Sequence, residues 1–319
     1  MNVISKQQVR LDQAVLEQGA DLPALASSLL RLFHNLRAAL HVPDQPPSSL
    51  PPASGPGRND AFGLLSAAFF GAPQPYAPVK YGLVWNVDHR RWVHWDGNTQ
   101  SPLGRNLLAA LGLGAPLLGR RGELDFAAVK RQTDLSESIR APRYPFPIDR
   151  EAASRGFAYF QANCASCHSG VESDARLYPV SDIGTEPNRA RAFTQLQADR
   201  FNRFLARLQT AGYEPSAEPG IRTTQKYWAA TLDGVWARSP YLHNGSVRTL
   251  RELLTPAEQR AASFRRGSIK YDEAAMGYAD EGSYVLDTQA AGNSNAGHNY
   301  GTRLTAPQQQ DLIEYLKTL

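Results

Sequence analysis

The stretch Cys164-Ala165-Ser166-Cys167-His168 decides how the rest of this chain is interpreted. It contains the only two cysteines in the sequence, and a histidine directly follows the second. Two thiols at this spacing lie on the same side of a short helical turn, where both can reach the two vinyl groups of one haem. The adjacent histidine can then bind the iron as an axial ligand. The motif therefore predicts one haem c, covalently bound, per chain.

Three other uses of the cysteine pair fit the sequence less well. A redox dithiol is typical of a βαβ context, whereas Ala153, Gly156 and Phe160 precede the motif at helical spacing. A structural zinc site needs four ligands, and the other histidines are scattered along the chain. A disulfide between residues this close would close a very small loop and would stabilise the fold little.

Composition sets further limits. Hydrophobic residues make up 42% of the chain and charged residues 20%, so a sizeable core is possible. The net charge is only +4, and no run of Lys and Arg reaches five residues. We therefore expect no nucleic-acid partner. No apolar stretch approaches the length of a membrane span, so none is expected.

The first residues, Met-Asn-Val-Ile-Ser-Lys-Gln-Gln, lack the charged and apolar regions of a signal peptide. Bacteria attach c-type haem outside the cytoplasm. We therefore expect a periplasmic or secreted protein, and a chain whose Met1 lies inside a longer protein.

The chain is predicted to be mainly α, with long loops, in two domains. Residues 1–145 form a partial N-terminal domain that is helical and Trp-rich, with tryptophans at positions 85, 92 and 95. Two helices are expected over residues 5 to 41 of this domain. The proline-stiffened segment 141–148 leads into a cytochrome c haem domain over residues 146–319.

Capping signals place helices in the second domain. Asp149 is expected to cap the helix that leads into the haem motif. A long helix is expected from about Arg189 to Thr210. Thr305 and Gln308 form a predicted capping box at the start of the last helix.

A second axial ligand would make the iron six-coordinate, whereas an open position would suit oxygen or peroxide chemistry. The candidates are Met276, His243 and His298. Met276 can equally be a residue that fills a gap in the core. We favour His298 because it lies on a Gly- and Asn-rich loop just before the last helix, and a docked helix would hold that loop across the haem face.

The segment Ser-Pro-Tyr-Leu-His-Asn-Gly-Ser-Val at residues 239–247 resembles a motif of bacterial di-haem cytochrome c peroxidases and their MauG-like relatives. Three further segments resemble a narrower branch, the di-haem proteins similar to rubber oxygenase. The first is residues 55–62, the second is residues 92–98 together with the following 104–106, and the third is residues 292–298.

The resemblance implies two mainly helical c-haem domains. It implies that His298 is the distal ligand and that His243 lies in the surrounding pocket. The family carries two C-x-x-C-H motifs and this chain has only the second, so the first would lie upstream of Met1. In rubber oxygenase-like members the N-terminal haem binds oxygen, and this chain would keep the electron-transfer haem.

Three functions follow as hypotheses. The first is single-electron transfer with a redox partner protein or a second haem domain. The second is a haem peroxidase or dioxygenase that acts on peroxide or an alkene polymer, which requires an open sixth position or an upstream haem. The third is an interaction protein without haem, whose dithiol is incidental.

Overall fold

The structure is a computed structural model that describes residues 54–63, 76–82, 84–88, 90–100, 102–112, 125–169, 176–210 and 220–319. The two helices predicted over residues 5 to 41 lie outside the described residues. The order of elements below applies to the described residues alone.

The helices whose bounds lie within the described residues run from Pro102 to Leu316. They are α1 Pro102–Gly112, α2 Phe126–Ser138, α3 Arg150–Asn163, α4 Ala165–His168, α5 Val180–Ile183, α6 Asn188–Arg191, α7 Gln195–Thr210, α8 Leu250–Leu253 and α9 Ala306–Leu316. Short 3₁₀ turns are formed by Val235–Arg238 and Ala257–Gln259.

The strands form two-stranded antiparallel pairs. They are β1 Arg58–Asn59 with β2 Val79–Lys80, β3 Trp92–Val93 with β4 Thr99–Gln100, β5 Leu177–Pro179 with β6 Lys226–Trp228, β7 Ser263–Arg266 with β10 Tyr284–Asp287, and β8 Tyr271–Asp272 with β9 Gly277–Tyr278.

The prediction of a mainly α protein is therefore wrong, because small antiparallel sheets lie between the helices and make the protein mixed α and β. Strand β10 lies in a segment that was expected to be a Gly- and Asn-rich loop. Phe264 pairs with Leu286 and both are buried, while their neighbours on each strand are mostly exposed. Strands this short show no clear two-residue period in the sequence. In one pair, β5 with β6, the two strands also lie far apart along the chain.

The long helix expected from Arg189 to Thr210 is also divided, into α6 and α7. The Thr194 hydroxyl accepts from the Gln197 amide, and the Gln197 side chain accepts from the Thr194 amide. This reciprocal capping box starts a new helix at Gln195.

Helices α3 and α9 cross closely and carry the two predicted caps, which the structure confirms. The Asp149 carboxylate accepts from the amides of Glu151 and Ala152, and Thr305 forms the capping box with Gln308. At the crossing, a Cβ on Gly156 would overlap the backbone carbonyl of Asp311. The two backbones therefore touch, an approach that only glycine allows.

This helix pair bounds the main apolar core, which also includes residues of α8 and of the segments between the helices. The buried members are Phe160, Val235, Tyr241, Val247, Leu250, Leu253, Leu254, Met276, Leu312, Ile313 and Leu316. Cys164 and Ala165 pack against this core, so the C-x-x-C-H turn is seated on it.

Residues before and after position 145 contact one another directly. Arg189 forms a buried ion pair with Asp96, at 2.8 Å between Nη1 and Oδ2. The Trp85 indole nitrogen donates to the carbonyl of Asp233 at 3.0 Å. The division into domains 1–145 and 146–319 stays a prediction.

Candidate functional site

The C-x-x-C-H turn continues the chain directly from helix α3. The amides of Cys167 and His168 donate to the Cys164 carbonyl at 3.1 and 2.9 Å, which closes one helical turn. Both thiols are free and half-buried. One turn of helix therefore carries the two thiols and the imidazole, as haem attachment requires.

The Cys164 thiol does not have the character of a reactive redox thiol. Burial, and to a smaller extent Cys167, raises the pKa of the Cys164 thiol to about 11. Reactive Cys-x-x-Cys pairs instead have a lowered thiol pKa. Among the described residues, no group of three Cys, His, Asp or Glu side chains is arranged to hold a metal ion, which leaves the zinc alternative without support there.

His168 has one ring nitrogen fixed by the backbone. Its Nδ1 lies 2.7 Å from the carbonyl oxygen of Ala230, to which it donates. This hydrogen bond orients the ring and leaves the Nε2 lone pair available, which is the usual arrangement of a histidine that binds a metal. Burial lowers the pKa of His168, which favours the neutral imidazole that a metal needs.

The His298 ring faces His168 although the two residues lie far apart in the sequence. The ring centres lie 6.3 Å apart, with the planes inclined at 53°. Two imidazoles that bind one metal from opposite sides, with bonds of about 2 Å and about 1.1 Å from nitrogen to ring centre, have their centres about 6 Å apart. The pair therefore has the spacing that one iron between the rings requires.

The polar atoms of His298 fit the same role. Its Nδ1 is buried and has no hydrogen-bond partner among the described residues. Burial, with smaller contributions from His168 and Arg260, lowers the pKa of His298 to about 4. The ring is therefore neutral near pH 7, and the residues present on both sides fit an axially bound haem.

The backbone presents His298 in an uncommon conformation. Its φ is +52°, in the left-handed region that non-glycine residues seldom adopt. The His298 amide donates to the carbonyl of Ile183 at 2.9 Å. The preceding Gly297 touches the backbone of Gly184, and a Cβ at position 297 would overlap it. The loop is thus docked against the end of helix α5.

Arg260 holds this loop from the other side, a role that we did not predict. Its side chain is 8% exposed. The guanidinium donates to the carbonyls of Asn295 and Gly297 at 2.6 and 2.8 Å and to that of His298 at 3.3 Å. It also reaches the carbonyls of Leu253 and Thr255. A single arginine in the sequence gives no signal of such a role, because all its partners are backbone atoms.

The two other candidate axial ligands have different surroundings. Met276 is fully buried in the apolar core, and its carbonyl accepts from the Tyr241 hydroxyl at 3.0 Å. His243 is buried and stacks on Tyr227, with its Nε2 3.1 Å from the Tyr227 hydroxyl. The Glu186 carboxylate lies 3.7 Å from the same nitrogen. Neither side chain occupies the position opposite His168, which His298 takes.

His94, in the Trp-rich segment, belongs to a separate buried network. Its Nδ1 lies 2.8 Å from the Asn98 side-chain oxygen, and its ring meets Phe62 edge-on. The neighbouring Asp96 pairs with Arg189, whose guanidinium lies 3.9 Å from the centre of the Phe62 ring. Segment 92–98 therefore joins the two halves of the chain. The sequence also makes His89 and His94 weaker candidates for iron ligands, and His89 lies outside the described residues.

Comparisons with known proteins agree with the cytochrome motif. Residues 226–265 match the family described as RoxA-like, cytochrome c-like. This segment contains Ala230, which accepts from His168, and Arg260, which donates to the His298 carbonyl.

Two curated relatives match most of the chain. The uncharacterized protein y4iM of Sinorhizobium fredii is 32% identical over 86% of this chain and 72% of its own length. The uncharacterized protein y4iJ of the same organism is 29% identical over 83% of this chain and 60% of its own length. The chain thus covers less than two thirds of the second relative.

Among solved structures, hydrazine synthase of Kuenenia stuttgartiensis aligns over 89% of this chain and 92% of its own, at 14% identity and a TM-score of 0.36. That score is too low to support an argument about fold or function. Within the described part of the chain, no helix has the length and apolar character that a membrane crossing needs.

Proposed function

This chain belongs to the family of the y4iM protein of Sinorhizobium fredii, and we propose that it is a c-type cytochrome that transfers single electrons through one covalently bound haem. The observation that carries the proposal is the pair of facing imidazoles of His168 and His298, 6.3 Å apart, next to the C-x-x-C-H turn. The cytochrome c-like match over residues 226–265 supports it.

In this proposal Cys164 and Cys167 form thioethers to the haem, and His168 and His298 are the proximal and distal ligands. The bound haem would supply one-electron chemistry, and the electron would come from a redox partner protein or a second haem domain. Two histidine ligands favour a lower potential than histidine with methionine. The chain would act in the periplasm or outside the cell, as the C-terminal part of a di-haem protein similar to the peroxidases and rubber oxygenases.

The alternative, a peroxidase or dioxygenase, requires a position on the iron that substrate can reach. The closed arrangement of His168 and His298 favours electron transfer at this haem. Catalysis would then belong to a second haem outside this chain.

The first test is a count of haem per chain on protein exported with the c-type maturation machinery. We expect an intact mass higher than that of the polypeptide by one haem, and a pyridine haemochrome spectrum of the c type. The double variant Cys164→Ser/Cys167→Ser should carry no covalent haem, whereas Ser166→Ala, between the two thiols, should carry one. A wild-type chain without covalent haem would remove the basis of the proposal.

A second prediction concerns Arg260, which holds the loop of His298 through backbone carbonyls. Arg260→Met leaves buried carbonyls without a donor, so we expect the free energy of unfolding to fall by about 1–3 kcal/mol. We also expect the reduced protein to bind carbon monoxide partially, because the distal loop is less firmly docked.

The carbon monoxide difference spectrum separates these two effects. The exposed Arg303, shortly after His298 in the sequence, provides the control, and Arg303→Met should match the wild type in both measurements. If Arg260→Met lowers stability and still binds no carbon monoxide, Arg260 supports the fold without positioning His298.

A further inference from the structure

A cavity of about 380 Å³ lies between the N-terminal described segments and the β7 region, apart from the facing histidines. Its walls are formed by residues 56–57, 80–82, 237–240, 264–269 and 278–279, together with Trp85, Trp95 and Arg248. The haem motif and His298 are not among its lining residues. Cavities of roughly 300–1,000 Å³ are typical of small-molecule sites.

The lining is strongly cationic. Among the described residues, five basic residues and no acidic residue line the cavity: Lys80, Arg238, Arg248, Arg265 and Arg266. Arg248 is neutralised by Glu252, at 2.6 Å between Nη2 and Oε1. The other basic residues of the lining are Lys80, Arg238, Arg265 and Arg266.

Two of these cations, with a third behind them, are buried without a counter-charge. Lys80, Arg266 and Arg58 are 8%, 7% and 4% exposed. In the described part of the chain no carboxylate forms an ion pair with any of the three. Lys80 donates to the Arg238 carbonyl, and Arg266 reaches the Gly245 carbonyl at 3.5 Å.

Arg58 has the least complete hydrogen bonding of the three. Its Nη2 donates to Asn293 at 2.6 Å, but its Nε and Nη1 have no partner among the described residues. Burial and the charge of Arg58 lower the pKa of Arg266 to about 10, and burial, Arg238 and Arg266 lower that of Lys80. Buried cations are costly unless they are paired. An anion in the cavity would supply the missing charge.

Aromatic rings form the rest of the wall. Trp85 and Trp95 are fixed by hydrogen bonds from their indole nitrogens to the carbonyls of Asp233 and Lys80. Phe264 is buried beside them, and Tyr81 is exposed at the edge. Lys80 Nζ itself lies 5.7 Å from the centre of the Trp95 ring. Fixed rings of this kind provide flat apolar surfaces.

We propose that this cavity binds a small aromatic carboxylate, with the carboxylate against Lys80 and Arg266 and the ring against the tryptophans. The cations select a negative charge, and the aromatic walls select a flat apolar body over an inorganic anion. The inference concerns a site apart from the haem ligands and does not depend on the function proposed above.

The test is isothermal titration calorimetry of the haem-loaded protein with 2-naphthoate. We expect saturable binding that weakens as salt is raised. The neutral analogue 2-naphthalenemethanol should bind at least tenfold more weakly. Inorganic phosphate should compete poorly.

The variant Lys80→Met/Arg266→Gln should bind naphthoate at least tenfold more weakly, whereas Arg131→Gln, an exposed arginine on helix α2, should match the wild type. If the double variant does not fold, Arg266→Gln alone should show a weakening in the same direction.

Four results would overturn the inference. The first three are an absence of binding by the haem-loaded protein, as would occur if haem carboxylates already filled the cavity; equal binding of the neutral analogue; and binding unchanged by the substitutions. Competition by phosphate as strong as by naphthoate would also overturn it, because the site would then recognise inorganic anions.

Discussion

The reduced His298→Gly variant is expected to bind carbon monoxide stoichiometrically, whereas the reduced wild-type protein should bind none without loss of a ligand. The ring of His298 lies 6.3 Å from that of His168, so in the proposed arrangement removal of the imidazole would leave the distal side of the haem open. Glycine is the suitable replacement because residue 298 has φ +52°, a conformation that glycine adopts at no steric cost. The measurement is the shift of the Soret band under carbon monoxide.

The chain offers a matched control for this variant. His94 also has positive φ, +72°, but its ring contacts Asn98 and Phe62. His94→Gly should therefore leave the haem spectrum and the response to carbon monoxide unchanged. Added imidazole should enter the space left in His298→Gly and compete with carbon monoxide. A wild-type protein that takes up carbon monoxide as readily as the variant would contradict the assignment of His298.

The second large effect is a loss of stability when the buried ion pair between Arg189 and Asp96 is broken. The two side chains are 1% and 2% exposed, and their closest atoms are 2.8 Å apart. Asp96→Asn leaves a buried guanidinium without its counter-charge, so we expect the free energy of unfolding to fall by about 3–5 kcal/mol. Urea unfolding of the haem-loaded protein, followed by far-UV circular dichroism, provides the measurement.

Two further variants test whether the unpaired buried charge accounts for the loss of stability. Replacement of both partners, Arg189→Met/Asp96→Leu, should recover much of the lost stability, because an apolar pair leaves no buried charge. Lys130→Gln removes an exposed ion pair with Asp134 on helix α2 and should cost about 0.5 kcal/mol or less. If Asp96→Asn changes stability as little as Lys130→Gln does, the buried pair does not hold the two halves of the chain together.

Local signals predicted some elements well. Asp149 caps helix α3, and Thr305 with Gln308 starts α9, because a cap depends on residues within one turn. The same kind of signal was present and missed at Thr194 and Gln197, where a capping box divides a segment predicted to be one helix. The short strands were missed because each is defined by its pairing with another strand, as Phe264 pairs with Leu286.

The sequence by itself determined the C-x-x-C-H turn that we propose for haem attachment, since Cys164, Cys167 and His168 lie within one helical turn and need no distant partner. It also marked His298 as a candidate. Only the tertiary structure decided that His298, from a distant part of the chain, faces His168, and that Arg260 holds its loop. The tertiary structure alone brings Arg58, Lys80 and Arg266 together, with no carboxylate paired to them in the described part of the chain. Packing brings distant segments together, and the charge or ligand geometry of a site depends on that proximity, which no local pattern encodes.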